Sequence, residues 1–189
     1  MVEGAQVRQL ARVAVVGTSG AGKSTFARAL SQQLGVAYIE LDALYWGPGW
    51  TKPPLDEFRT RVDAATAAPR WVCDGNYSTV RDLVWPRASA LIWLDFSFPL
   101  VFTRAVRRTL RRTWTRERLF AGNRESLRNV FDPEWIPWWV LRTFWRRRRE
   151  WPALFEGPEL AHLHVFRLRH PSQAQRLLRD AGAPPQYAT

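Results

Sequence analysis

The sequence predicts an α/β fold, a five-stranded parallel sheet covered by helices on both faces. Three observations carry this. Short apolar, β-branched runs alternate with amphipathic helical patterns, the order that a doubly covered parallel sheet requires. A glycine-rich loop, Gly17-Thr18-Ser19-Gly20-Ala21-Gly22-Lys23-Ser24, joins the first run to the first helix. Acids (Asp42, Asp74, Asp95) follow the second, third and fourth runs, at the sheet edge where such folds bind ligands. A length of 189 residues with 46% hydrophobic content suits a single domain over residues 1–189.

Val13-Ala14-Val15-Val16 is continuously apolar and reads as a buried first strand. After the loop, Phe26, Ala27, Ala29, Leu30 and Leu34 recur at helical spacing, and Gly35 supplies the stop. Residues 37–41 read as the second strand, and the Gly/Pro-broken aromatic stretch 45–50 as a loop. A helix is expected from Leu55 to Ala68, with Phe58, Val62 and Ala65 on its inner face and Pro69 ending it. Trp71-Val72-Cys73 is the third strand, closed by Asp74-Gly75, and residues 90–94 are the fourth. Phe98 to Trp114 reads as an amphipathic helix with Phe102, Val106 and Leu110 on one side and Arg104, Arg108 and Arg111 displaced from them. Residues 115–133 are polar and basic, with a turn signal at Gly122-Asn123. Glu134 to Phe155 is expected to be helical despite Pro137, residues 163–168 form the fifth strand, and Ser172 to Ala181 a closing helix stopped by Gly182. Residues 1–10 read as a loose extension.

The net charge of +11 is concentrated, because residues 104–149 hold 14 arginines against four acids. Such a segment expects an anionic partner: nucleotide phosphates, nucleic acid or a membrane surface. Arg104, Arg107 and Arg108, and separately Arg142, Arg146 and Arg149, recur at helical spacing, either as phosphate-binding stripes or as solvated faces. Six of the eleven tryptophans fall between Trp114 and Trp151; they suit packing of a lid or partner surface better than base stacking. One cysteine, Cys73, permits no internal disulfide and suits a cytoplasmic protein with a packed thiol. No apolar run reaches membrane-spanning length, so no membrane insertion is expected. The three histidines show no metal-ligand pattern.

The loop fits G-x-x-x-x-G-K-[ST] at every fixed position, with a strand before it and a helix after it, and a glycine turn that binds nothing is the weaker reading. Backbone N–H groups of Gly17 to Thr25 can cradle phosphates at a helix N-terminus. Lys23 reaches the β- and γ-phosphates, and the Ser24 hydroxyl is a Mg²⁺ ligand, so the cofactors expected are ATP and Mg²⁺. Asp74 is either the acid that completes the metal site through water or a turn residue before Gly75. Asp42 either accepts or orients a proton of an acceptor hydroxyl, or caps a short helix.

Several phrases, "VAVVGTSGAGKST", "IELDALYWGPGW", "WVCDGNYSTVRDLVWPRA", "LIWLDFSFP" and "GNRESLRN", make the chain resemble nucleoside monophosphate kinase-like proteins of the P-loop class. Within that class it is similar to the adenylate-kinase-related group labelled DNA topology modulation proteins, over about residues 12–180. The resemblance implies a P-loop NTPase three-layer fold with an arginine-rich helical lid near 112–135 and an acceptor-binding region near 42–68. It implies nucleotide-contacting roles for Arg104 and Arg108. It also implies a phosphotransferase acting on a small acceptor, with a nucleic-acid-associated ATPase gripping DNA through 104–149 as the alternative.

The chain departs from adenylate kinases at two places. Asn76-Tyr77-Ser78 stands where they carry Phe-Pro-Arg after Asp-Gly, and Tyr45 where they carry a second arginine. Both acceptor-phosphate arginines are thus absent from their expected positions, with Arg81 or Arg87 as candidate substitutes. An acid just after the second strand is similar to shikimate- and gluconate-type kinases, which phosphorylate a hydroxyl.

Overall fold

The computed structural model describes residues 11–124 and 136–182. Its strands are β1 (Arg12–Gly17), β2 (Ala37–Glu40), β3 (Trp71–Asp74), β4 (Ala90–Leu94) and β5 (His164–Leu168). They form one parallel sheet in the order β2-β3-β1-β4-β5. The helices are α1 (Lys23–Leu34), α2 (Leu41–Tyr45), α3 (Leu55–Thr66), α4 (Arg81–Val84), α5 (Phe98–Thr115), α6 (Ile136–Phe155) and α7 (Pro171–Gly182). This is the α/β, five-stranded parallel arrangement that the alternation of patterns predicts.

Side chains alternate across the sheet and build two cores. Val13, Val15, Ile92 and Leu94 point to one face, where they meet Phe26, Leu30, Val101, Val140, Phe144 and Leu177. Ala14, Val16, Leu91 and Trp93 point to the other, against Phe58, Val62, Val84, Trp85 and Trp151. Helix α6 contributes Val140 and Phe144 to the first core and Trp151 to the second. It therefore passes from one face of the sheet to the other.

That passage is fixed at the end of β4. Asp95 is buried, and its carboxylate receives Arg148 from α6 (Nε to Oδ1, 3.2 Å) and Arg167 from β5 (Nη2 to Oδ2, 2.7 Å). Arg167 also lies over the Trp93 ring at 4.3 Å. Asp95, one of the three acids that the sequence places after a strand, is thus a clasp between three elements.

Several sequence expectations need correction. Helix α5 buries Val101, Ala105 and Thr109, while Leu110 is 51% exposed and Phe102 only partly covered. The phosphate loop decides this, because a Cβ at Gly20 would collide with the Val101 carbonyl and stand 3.0 Å from the Ala105 Cβ. A helix pressed so close to backbone turns its small residues inward, not its largest. β2 ends at Glu40, so Leu41 and Asp42 open α2 instead of ending the strand. Asp74 is the last residue of β3, and Gly182 is still helical. Cys73 is packed as expected, with burial pushing its thiol pKa up. The expected lid beyond residue 124, the helix start at 134–135 and the 1–10 extension lie outside the described residues.

The clasp predicts a stability effect. Asp95→Ala leaves Arg148 and Arg167, each about one-third exposed, without their buried partner. A loss of roughly 2–3 kcal/mol is expected, less than for a fully buried pair because both arginines keep contact with water. Urea unfolding followed by circular dichroism measures it; an unchanged midpoint would remove the clasp from the account.

Candidate functional site

The site is built on the loop between β1 and α1. Gly20 and Gly22 both adopt φ near +90°, a left-handed conformation that side chains rarely tolerate. The turn is closed by Ala21 N–H donating to the Thr18 carbonyl (3.0 Å). Gly22 is the N-cap of α1, and no side chain caps the helix. The first N–H groups of α1 therefore remain available to an anion. Asn76 steadies the start of the loop: Gly17 N–H donates to its Oδ1 (3.2 Å), and its Nδ2 donates to the Gly17 carbonyl (2.5 Å). Asn76 occupies one of the positions where the chain departs from the adenylate-kinase pattern, and its role depends on contacts across 59 residues of sequence.

Lys23, at the head of α1, has its pKa lowered by burial, with Asp74 and Asp42 pulling it back up and Arg147 and Arg108 pushing it further down. These four groups thus lie within electrostatic reach of the lysine. Asp74 is 4% exposed, and burial raises its pKa while Lys23 and a hydrogen bond from Ser24 oppose the shift. Tyr38 OH lies 3.5 Å from Asp74 Oδ2, and Asp74 Oδ1 is buried without a hydrogen-bond partner. An orphaned carboxylate oxygen beside the Ser24 hydroxyl fits a Mg²⁺ ion, which takes one or two protein oxygens and completes its octahedron with phosphate and water. Glu40 stands close enough for Asp74 to help raise its pKa, after burial as the main cause.

Asp42 lies in the first turn of α2, whose N-cap is Glu40, so Asp42 does not cap the helix. Its Oδ1 accepts a 2.7 Å hydrogen bond from Tyr77 OH. Burial, and then the Asp42 charge, push the Tyr77 pKa up, keeping the phenol protonated as the donor. Tyr45, the residue in place of an arginine, packs into an aromatic wall, 4.7 Å from the Tyr77 ring and 4.9 Å from Phe58.

A small polar bridge joins this wall to the expected lid. Asn123 is buried, its Oδ1 accepts from Trp50 N–H (3.1 Å), and its Nδ2 donates to the Gly47 carbonyl (2.8 Å). Trp50 Nε1 adds a bond to the Arg124 carbonyl (3.2 Å).

Of the predicted arginines, Arg108 is half-buried and within electrostatic reach of Lys23, whereas Arg104 is exposed and lies 5.9 Å from the Phe96 ring. Arg107, Arg111, Arg142, Arg146 and Arg149 are exposed. The stripe 142-146-149 misses the two partly buried arginines of α6, Arg147, whose charge is felt by Lys23, and Arg148, which pairs with Asp95. Thr18, Ser19 and Thr25 flank the loop, with Thr18 buried and Thr25 exposed.

No family model matches the chain, and no curated protein sequence matches it. Solved structures do. A shikimate kinase from Acinetobacter baumannii in complex with shikimate is 19% identical, with a TM-score of 0.53, covering 93% of this chain and 95% of its own. A shikimate kinase from Bacteroides thetaiotaomicron is 13% identical, with a TM-score of 0.52, covering 90% and 95%. The fold is that of the P-loop kinases.

Asn76→Ala is expected to weaken binding of a fluorescent ATP analogue about tenfold. It leaves both polar groups of Gly17 unpartnered and frees the loop, at roughly 1–3 kcal/mol. Parent-like affinity would show that the loop holds its shape without this amide.

Proposed function

We propose that the chain is an ATP- and Mg²⁺-dependent phosphotransferase of the nucleoside monophosphate kinase-like class, acting on the hydroxyl of a small acceptor. The observation that supports this reading best is the convergence on Lys23. Asp74, which Ser24 hydrogen-bonds, and Asp42, which Tyr77 hydrogen-bonds, raise the Lys23 pKa, and Arg108 and Arg147 lower it. The overall likeness to two shikimate kinases agrees with it. Membership of the DNA topology modulation group is part of the same proposal and rests on the quoted phrases alone.

In this reading the amides of Gly17 to Thr25 and the Lys23 ammonium hold the donor phosphates. Ser24, and Asp74 through water, hold Mg²⁺, which when bound neutralises charge on the β- and γ-phosphates. Tyr77 orients the Asp42 carboxylate by binding one oxygen, which leaves the other to receive the acceptor's hydroxyl proton. The acceptor oxygen forms its bond to the γ-phosphorus as the bond to the β-phosphate bridging oxygen breaks, releasing ADP. Arg108 and Arg147 stabilise the charge on the transferring group. Arg104 stands one residue before Ala105, where α5 touches the loop, and adds a contact to the bound nucleotide. The acceptor region spans about 42–68 and the lid about 112–135, within one domain in the cytoplasm. Among the described residues no helix is long and apolar enough to cross a membrane.

A second reading has its own observation: the solvent-facing arginines of α5 and α6 form a basic exterior that suits nucleic acid. DNA-stimulated ATP hydrolysis that disappears in Arg107→Ala and Arg142→Ala, with basal turnover retained, would replace the small-acceptor reading with this one.

Three outcomes are expected from an acceptor screen following ATP consumption. Lys23→Ala loses on the order of 10²–10³ in rate. Asp42→Asn loses about 10²–10⁴ in kcat on the best acceptor while the KM for ATP stays within threefold; full activity in this variant rules out Asp42 as the base. AMP is a poor acceptor, because Tyr45 and Ser78 replace the arginines for its phosphate, and turnover of about 1–100 per second with AMP contradicts the hydroxyl-acceptor assignment.

A further inference from the structure

The sides of α5 and α6 that face away from the sheet carry a pattern that the phosphate loop does not use. Both helices cover the same face of the sheet, for Val101 and Ala105 of α5 meet Val140 and Phe144 of α6 in one core. Their opposite sides therefore look outward together. On α5 the line farthest from the core runs through Arg107, Leu110, Arg111 and Trp114, and all four are exposed. On α6 it runs through Trp138, Arg142, Trp145 and Arg149, again all exposed. At 3.6 residues per turn, these spacings keep each set on a single stripe.

Apolar and cationic side chains are interleaved along both stripes. Trp114 is 90% exposed, and Leu110, Trp138 and Trp145 are each about half exposed. Single exposed apolar residues are ordinary, but four on two neighbouring helices mark an interaction surface. A row of rings ties the stripes together. Phe98 stacks on Phe102 at 5.4 Å and on Trp145 at 5.9 Å, so the start of α5 meets the middle of α6. Towards the end of α5, Leu110, Arg111, Trp114 and Arg116 border a surface hollow of about 650 Å³.

Most of the positive charge on this face is unanswered. Elsewhere surface arginines pair, Arg59 with Asp82, Arg61 with Glu57 and Arg87 with Asp63. On the outer faces Arg111 meets Glu117 and Arg146 meets Glu150. Among the described residues, Arg107, Arg142 and Arg149 have no carboxylate within 4.0 Å. A second copy of this chain would bring arginine against arginine, which opposes self-association. A nucleic-acid duplex answers the guanidiniums with phosphate but gives the leucine and tryptophans between them little apolar surface. A bilayer containing anionic lipid answers both. Its phosphates suit the guanidiniums, and its headgroup–acyl boundary is the depth at which indole rings settle.

We propose that the outer faces of α5 and α6 together dock the protein on an anionic lipid surface, lying along it and not crossing it. No described helix is long and apolar enough to span a bilayer, and docking of this kind requires none. Val101 and Ala105, which approach Gly20 of the phosphate loop, are on the inner side of α5. Docking through the outer side therefore leaves the loop uncovered by lipid. The proposal does not depend on the phosphotransferase reading.

The test is flotation of the full chain with vesicles of phosphatidylcholine alone and of equal parts phosphatidylcholine and phosphatidylglycerol, at about 0.1 M salt. Binding to the anionic vesicles is expected to be at least about tenfold tighter than to the neutral ones. Two double variants, Arg107→Gln with Arg142→Gln and Trp114→Ser with Trp145→Ser, should each lose about tenfold on anionic vesicles. Circular dichroism should match the parent for both, because all four side chains are exposed. Phosphatidylcholine brominated in its acyl chains, mixed into the anionic vesicles, should quench the parent's tryptophan emission and quench the tryptophan variant much less. Absence of flotation, or equal flotation with neutral and anionic vesicles, overturns the proposal. Parent-like flotation of the tryptophan variant overturns it too, reducing the face to a generic polycation. A DNA oligonucleotide whose affinity falls tenfold in the tryptophan variant, with vesicle binding unchanged, assigns the face to nucleic acid instead. A dimer seen by light scattering that the same variant abolishes, with vesicle binding unchanged, assigns it to a second copy.

Discussion

Two guanidiniums meet at the Asp95 carboxylate, and the position of α6 depends on that meeting. Asp95 closes β4, the strand next to the central one, and its two oxygens tie α6 and β5 to the sheet end. Because Arg148 is held there, its neighbour Arg147 is delivered to the vicinity of Lys23. A structural ion pair thus sets the location of a group with functional potential one residue away. The cost of burying Asp95 is offset because both oxygens are satisfied, the condition under which a buried carboxylate stabilises a fold.

The centre of the site follows the opposite rule. Lys23, Asp74 and Asp42 act on each other in partly desolvated surroundings, and Asp74 keeps one oxygen without a partner. Groups held in this condition bind a charged ligand with little reorganisation, since solvent has already been displaced. The unspent donors at the head of α1 belong to the same pattern. Stability is concentrated in the two cores, and the sheet end above them carries the unsatisfied groups.

Local patterns carried most of the fold in the sequence. Each strand lies within a residue or so of its apolar run, and Gly35 ends α1 in the left-handed conformation that its residue type suggests. The loop was legible because its residues act through backbone geometry that is local. What was not legible depends on distance. Asn76 acts on Gly17 across 59 residues, and no spacing rule reaches that far. Arg147 sits in an unbroken run of four arginines, where periodicity has nothing to select. Which of them turns inward is decided by where α6 crosses the sheet. The inner face of α5 was misread because amphipathicity favours bulky apolar residues, while contact with Gly20 favours small ones.

The Asn123 side chain joins Gly47 and Trp50 to a residue 76 and 73 positions further along the chain. One amide therefore ties the loop beside the aromatic wall to the stretch that follows α5. The shape of residues 47–50 is thus written partly at position 123, and a substitution there is felt where Trp50 meets Trp46 and, through it, Tyr45.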